Sequence, residues 1–158
     1  AIRKDWTGGL RQAWAFEELC RGDPSVNASM SSPVASGGVV VVMGREDEAD
    51  LVFAFEIKTG KKLWEKSYQA KAEKKWPGVG NGARATPFID GDRVYTLGAY
   101  GHLACWELKT GDLKWLINAR DDSKTTPNYW GVCGSPAVYG DKVLVKVGGT
   151  VRGRRPRW

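Results

Sequence analysis

The apolar runs in this chain are short: the longest, Val39 to Met43 among them, hold five residues, where a membrane-spanning helix needs about 20. No secretory leader is legible, although the chain starts at Ala1 rather than Met. Cys20, Cys105 and Cys133 are an odd set without a C-x-x-C pair, a pattern that gives neither a zinc site nor a disulfide framework. His102 is the single histidine, so no His-rich metal centre is available. No long stretch carries the helical apolar period. Excess positive charge is local: setting aside Arg152, Arg154, Arg155 and Arg157 reduces the formal net charge from +6 to +2. A remainder that small predicts no nucleic-acid partner.

What the sequence does have is eight Trp, 20 Gly and a repeat. Ser32 to Trp64 reads Ser-Pro-Val, a Gly-Gly turn, a Val run, a loop, Leu-Val-Phe-Ala-Phe-Glu, Lys-Thr-Gly and Lys-Leu-Trp. Arg84 to Trp115 follows the same plan, and a further copy starts at Ser135. Pro33 to Pro87 is 54 residues and Pro87 to Pro136 is 49. Trp14, Trp64 and Trp115 are spaced by 50 and 51, and Gly60 to Gly111 is 51. A period near fifty belongs to propellers and solenoids, whose units bury their faces on their neighbours.

Each unit predicts four short strands. Pro33 and Pro87 open the first, where a missing N–H does no harm to the ladder. Ser36-Gly37-Gly38, Asp90-Gly91-Asp92 and Tyr139-Gly140-Asp141 are hairpin turns in which Gly supplies positive φ. The β-branched and aromatic runs Val39–Met43, Arg93–Leu97 and Lys142–Val147 form the second strand. Arg45 to Asp50, three residues longer than its counterpart, is expected to be a solvated hairpin tip. Leu51–Glu56 and Leu103–Glu107 form the third strand. After Lys58-Thr59-Gly60 and Lys109-Thr110-Gly111, a fourth strand ends on Trp64 or Trp115. The expected fold is therefore all-β: a partial β-propeller of four-stranded antiparallel blades. Residues 1–20 would supply the last strand of a preceding blade, 31–66 and 84–117 two blades, and 133–148 the start of another. Residues 149–158 form a basic tail that fits no position of the repeat and is expected to be a disordered basic arm or artefactual, that is cloning-derived or out-of-frame, sequence, the latter being favoured. An arc with two open ends is expected to be part of a larger protein and not a stable monomer by itself.

Candidate chemistry is thin. Asp121-Asp122 reads as a solvated linker beside Lys124, and His102 as a hairpin-tip residue without a nucleophile to serve. Gly78-Val-Gly-Asn-Gly-Ala83 matches a dinucleotide fingerprint by letter, but it lacks the preceding strand and following helix that the motif requires. Lys71, Lys74 and Lys75 beside Trp76 read as a solvated loop, since Glu65 and Glu73 interrupt the charge. No catalytic residue and no metal ligand is predicted. The candidate binding residues lie just before each Ser/Thr-Pro: Arg84, Asn128 and Trp130, with Ser32, Thr86 and Ser135. In a propeller these precede the innermost strands and gather near the channel on one face. There they either bind an anionic or planar ligand or brace adjacent blades. Trp14, Trp64 and Trp115, with Gly60 and Gly111, are the candidates for docking blade on blade.

Ala54-Phe-Glu-Ile-Lys-Thr-Gly-Lys-Lys-Leu-Trp64 and Ala104-Cys-Trp-Glu-Leu-Lys-Thr-Gly-Asp-Leu-Lys-Trp115 resemble the pyrroloquinoline-quinone-like (PQQ-like) repeat, over about residues 10–148. WD and kelch repeats fit less well. Glu56 and Glu107 stand where that family often has Asp. The resemblance implies Trp-mediated docking of one blade on the next. It also implies an extracytoplasmic, periplasmic setting and a non-catalytic scaffold that binds a protein partner or small ligand on one propeller face. Gly82–Pro87 and Asn128–Pro136 look most like exported bacterial outer-membrane-assembly-like or quinoprotein-like proteins. The alternative it implies is part of a quinone-dependent alcohol or sugar dehydrogenase using PQQ and calcium. The vicinal Cys-Cys of the alcohol enzymes has no counterpart here.

Overall fold

The computed structural model describes residues 9, 11–72, 80–123, 125 and 129–148. The strands β2 (Val34–Ser36), β3 (Val39–Glu46), β4 (Ala49–Glu56) and β5 (Lys62–Gln69) make one antiparallel sheet; a two-residue strand β1 (Cys20–Arg21) joins it, parallel to the far end of β3. A single-turn helix α1 (Pro24–Asn27) lies between β1 and β2, capped by Asp23, whose carboxylate accepts from Ser25 N. The second sheet is β6 (Phe88–Asp90), β7 (Arg93–Leu97), β8 (His102–Glu107) and β9 (Leu113–Asn118). A short helix α2 (Ala119–Ser123) follows, and a hairpin of β10 (Ala137–Tyr139) and β11 (Lys142–Leu144) begins the third unit.

Tight turns join successive strands, with Gly37, Gly91 and Gly140 at positive φ. The first strands β2, β6 and β10 touch in succession, so the sheets fan out from a common axis, as blades do. Equivalent residues of the two blades occupy equivalent registers. Ala54 pairs with Trp64 just before a bulge in one, and Cys105 with Trp115 just before a bulge in the other.

The core lies in the seams between blades. Val41, Met43, Val52, Ala54, Trp64 and Tyr68 of the first blade meet Val94, Ala104, Trp106 and Leu108 of the second. On its other face the first blade presents Val42, Leu51, Phe53 and Phe55, covered by Trp14, Phe16 and Leu19. Residues 11–19, which carry those three side chains, form no strand. On the far face of the second blade, Leu97, Leu103 and Ala119 are packed by Val143, Val145 and Val147.

Three expectations are overturned: the fourth strands run past Trp64 and Trp115 to Gln69 and Asn118, residues 11–19 are not a blade strand, and the segment 45–50 is not a loop. Arg45 and Asp50 are not at a solvated tip; both side chains are fully buried. Strands β3 and β4 run on to Glu46 and Ala49, which places Arg45 directly opposite Asp50 and turns both into the blade seam. Asn27-Ala28-Ser29 has the letters of a glycosylation sequon, but the Asn27 amide is buried and donates to Arg21 O.

Candidate functional site

The loops leading into the innermost strands lie side by side. Asn81 N donates to Val26 O, Gly82 N to Ala28 O and Met30 N to Ala83 O, so the lead-in to the second blade is laced to that of the first. Gly80 and Gly82 permit this approach, since a Cβ on either would lie within 2.7 Å of Ala28 O. Arg84 emerges from this loop half-buried, donating to Gly82 O at 2.7 Å and Gly80 O at 3.0 Å. Burial holds its guanidinium pKa below the usual value, against the opposing influence of Cys133, Tyr100 and Asp50 nearby.

The lead-in to the third unit carries Tyr129 and Trp130, ring centroids 4.8 Å apart and edge to face. Both are exposed, at 65% and 52%. Thr86 N donates to Ser135 Oγ, which ties this lead-in to the second blade. Ser32 is exposed. Of the predicted binding residues the structure thus joins Thr86 to Ser135 and places Arg84 in the neighbouring loop, while Asn128 lies outside the described residues. So do Lys74, Lys75, Trp76, Gly78, Val79 and the tail 149–158. Asp121 and Asp122 sit exposed on α2.

Sequence reasoning missed a polar cluster in the seam behind Arg84. Arg45 donates to Asp50 Oδ1 at 2.9 Å and to Ala70 O at 2.9 Å, and its guanidinium lies 5.6 Å from the Tyr100 ring centre. Tyr100 donates its hydroxyl hydrogen to Asn81 Oδ1. Asp50 Oδ2 and the Tyr68 hydroxyl both face the Cα of Gly98, where a Cβ would stand 2.3 Å from one and 3.0 Å from the other. Neither oxygen has a hydrogen bond of good geometry, although the hydroxyl is near enough to favour the charged carboxylate. Burial dominates and pushes the Asp50 pKa up to about 6, opposed mainly by Arg45. Burial also drives the Tyr68 phenol well above its ordinary value. His102 begins β8 and packs its ring against Tyr68. A sequence signal did exist, since the extended hairpin puts a cation and an anion five residues apart, at cross-strand positions.

The tryptophans occupy repeated geometry. The Trp14 indole N–H donates to Ile57 O at 2.9 Å, and its ring lies where a Cβ on Gly60 would come within 2.6 Å. Trp64 donates to Leu108 O at 2.9 Å and covers Gly111 in the same manner. Gly60 and Gly111 share a φ of 71°. Trp115 packs only on Tyr95 among the described aromatic rings and is 37% exposed, against 7% for Trp64.

Among the described residues no cluster of three or more His, Cys, Asp or Glu is placed to hold a metal ion. No helix there is long and apolar enough to cross a membrane. Nor do the described residues assemble a cradle for an anionic quinone: the Arg84 guanidinium is turned to two carbonyls, and Trp130 stands edge to face with Tyr129 and not opposite a second parallel ring.

Comparison with known proteins gives a consistent picture. The family described as outer membrane protein assembly factor BamB matches residues 6–157. The lupanine 17-hydroxylase [cytochrome c] of a Pseudomonas species is 27% identical over 147 residues, covering 91% of this chain and 19% of that protein. Among solved structures, BamB from Moraxella catarrhalis superimposes with a TM-score of 0.52 at 19% identity, over 75% of this chain and 30% of its own. A europium-containing methanol dehydrogenase superimposes with 0.65 at 21% identity, over 94% and 25%. The chain therefore spans between about a fifth and a third of the length of these relatives, and the fold they share is the β-propeller.

Proposed function

The chain belongs to the BamB family of outer membrane protein assembly factors, and we propose that it serves as part of a non-catalytic, extracytoplasmic propeller scaffold that binds a protein partner through the lead-in loops of its blades. The observation that carries this reading is the exposed Tyr129–Trp130 pair. It stands on a lead-in anchored to the second blade through Thr86 and Ser135, one loop from Arg84. Aromatic and Arg side chains on a rigid support are the usual anchors of a protein interface. The extracytoplasmic setting is supported by the family's description as an outer membrane assembly factor. In this reading Trp14 and Trp64 lock successive blades through Gly60 and Gly111, and the scaffold's stiffness comes from those contacts.

A second reading, part of a quinone-dependent dehydrogenase, is favoured by the likeness to lupanine 17-hydroxylase and to the methanol dehydrogenase. PQQ would supply the electron acceptor there. The described residues form no site that fits it, and no step is derived through it.

The test is cross-linking from position 130 in cells of the source organism, with identification of the adduct. A discrete envelope-protein adduct that is competed away by excess unmodified chain, but not by excess Trp130→Ala chain, supports the scaffold. Dye reduction with alcohols or sugars after adding PQQ and calcium to the protein would overturn it in favour of the dehydrogenase.

A further inference from the structure

The turn between β7 and β8 is a hairpin tip, yet Gly98, Ala99, Tyr100 and Gly101 are all buried. It closes on itself, with Gly98 N donating to His102 O at 2.9 Å and Gly101 N to Gly98 O at 3.0 Å. Its residues also reach four separate parts of the chain. Gly98 abuts Asp50 and Tyr68 of the first blade, where a Cβ would stand 2.3 Å from Asp50 Oδ2. Ala99 O accepts at 2.8 Å from the N–H of Val132, in the lead-in to the third unit. The Tyr100 hydroxyl donates to Asn81 in the lead-in to the second blade, and its carbonyl accepts from Asn118 and Arg120. At Gly101 a Cβ would lie 2.9 Å from Asn118 Oδ1 and 3.0 Å from Arg120 Cβ. The turn is therefore wedged between the buried ion pair on one side and the two lead-in loops and the end of β9 on the other. Close packing of this kind passes a displacement on and does not absorb it.

Asp50 is placed to act on that turn. Its Oδ1 accepts from Arg45, while Oδ2, which faces Gly98, has no hydrogen bond of good geometry, and neither has the Tyr68 hydroxyl. A proton added at Oδ2 gives the carboxyl a donor within reach of the phenol oxygen. It also weakens the hold on Arg45, which keeps Ala70 O and the Tyr100 ring. The groups facing this carboxyl are Arg45 from β3, Tyr68 from β5 and Arg84 from the lead-in loop. His102, at the start of β8, packs on the Tyr68 ring, and Arg120 holds the Tyr100 carbonyl.

We propose that Asp50 is a proton-operated latch: on taking up a proton it tightens the Gly98–Gly101 turn against the first blade and, through Ala99 O, holds the third lead-in more firmly. The latch stands on the geometry of the seam and does not need the scaffold reading. Where the lead-in loops bind a partner, that binding becomes linked to the proton. Burial raises the carboxyl from 3.8 to about 6, so the closed seam takes the proton more tightly than an open one. The latch is accordingly closed below about pH 6 and is released as the pH rises through it.

The test is NMR on the full chain, titrated from about pH 7.5 to about 5. The Asp50 carboxyl carbon and the Val132 amide are expected to titrate with one midpoint. Hydrogen-exchange protection at Val132, corrected for the intrinsic rate, should rise at least about threefold more than at Val52, whose place in the first blade's central ladder reports global stability. Asp50→Asn should flatten the Val132 response, and His102→Gln should leave it intact. A Val132 amide that does not titrate, or whose midpoint differs from that of the Asp50 carboxyl, overturns the proposal. So does a response that survives Asp50→Asn or is lost in a folded His102→Gln chain, or protection that changes equally at Val132 and Val52. The two wild-type midpoints and the two protection factors decide the matter even if Asp50→Asn does not fold.

Discussion

Trp64 lies across Gly111 so closely that a Cβ on the glycine would come within 2.7 Å of the indole. Its N–H reaches past the turn to Leu108 O. Ring and turn belong to successive sheets, so this contact joins two blades by apolar area and a directed hydrogen bond together. The Trp14–Gly60 contact repeats it one unit earlier.

The cost of losing each indole should follow its cover. Trp64→Ala removes a buried ring and is expected to destabilise the chain by about 3–5 kcal/mol. Trp64→Phe keeps most of the area and leaves Leu108 O without its donor, for a smaller loss of about 1–3 kcal/mol. Trp115→Ala, at an open site, should cost under about 1 kcal/mol. Urea unfolding of the three variants decides the order. Equal losses at 64 and 115 would mean that the inter-blade contact adds nothing to stability.

Gly98 and Gly91 separate two reasons for keeping a glycine. Gly91 has φ +56 and open space around it, so Gly91→Ala should cost only the left-handed backbone penalty of about 1–2 kcal/mol. At Gly98 the backbone is ordinary, but a Cβ would stand 2.3 Å from Asp50 Oδ2. Gly98→Ala must shift a fully buried ion pair and is expected to cost about 3 kcal/mol or more. A milder effect at 98 than at 91, read from denaturant midpoints, would contradict the packing described for the seam.

The blade plan was legible because each of its signals is local. Pro33 and Pro87 mark strand starts, Gly37 and Gly91 mark turns, and Ala54–Trp64 and Cys105–Trp115 keep one register. The seam was not, because Arg45 and Asp50 sit in a charged hexapeptide, Arg45 to Asp50, that resembles an ordinary exposed tip. Their burial depends on Tyr68, the cross-strand partner of Asp50 in the same blade, and on Gly98 and Tyr100, which are 48 to 55 residues away and meet them only when the second blade packs on the first. Nor could spacing show that residues 11–19 would cover Phe53 and Phe55 without forming a strand. The Ser/Thr-Pro lead-ins were found by repeat position, yet the loop partners that hold Arg84 in place come from main-chain carbonyls, which no side-chain pattern reports.

The buried Asp50 gives the chain an unusual pH response. Its carboxyl is raised from an ordinary 3.8 to about 6, so the folded state binds the proton more tightly than the unfolded chain. Stability from this group is fully present below pH 3.8 and is lost as pH rises through about 6, a span worth about 3 kcal/mol at 1.36 kcal/mol per unit. Glu65 acts in the opposite sense. Hydrogen bonds from Arg21 and Lys62 lower it from 4.5 to about 2, so its contribution is present above pH 4.5 and fades as the pH falls through about 2. Melting temperature should therefore climb as the pH is lowered from 7.5 to about 5, then level off or fall in stronger acid. Asp50→Asn, a neutral isostere of the protonated carboxyl, should flatten the climb between pH 7.5 and 5. Glu65→Gln should leave that climb intact and soften the acid limb. An Asp50→Asn chain that kept the wild-type slope above pH 5 would show that another group carries the titration and that Asp50 stays charged within the seam.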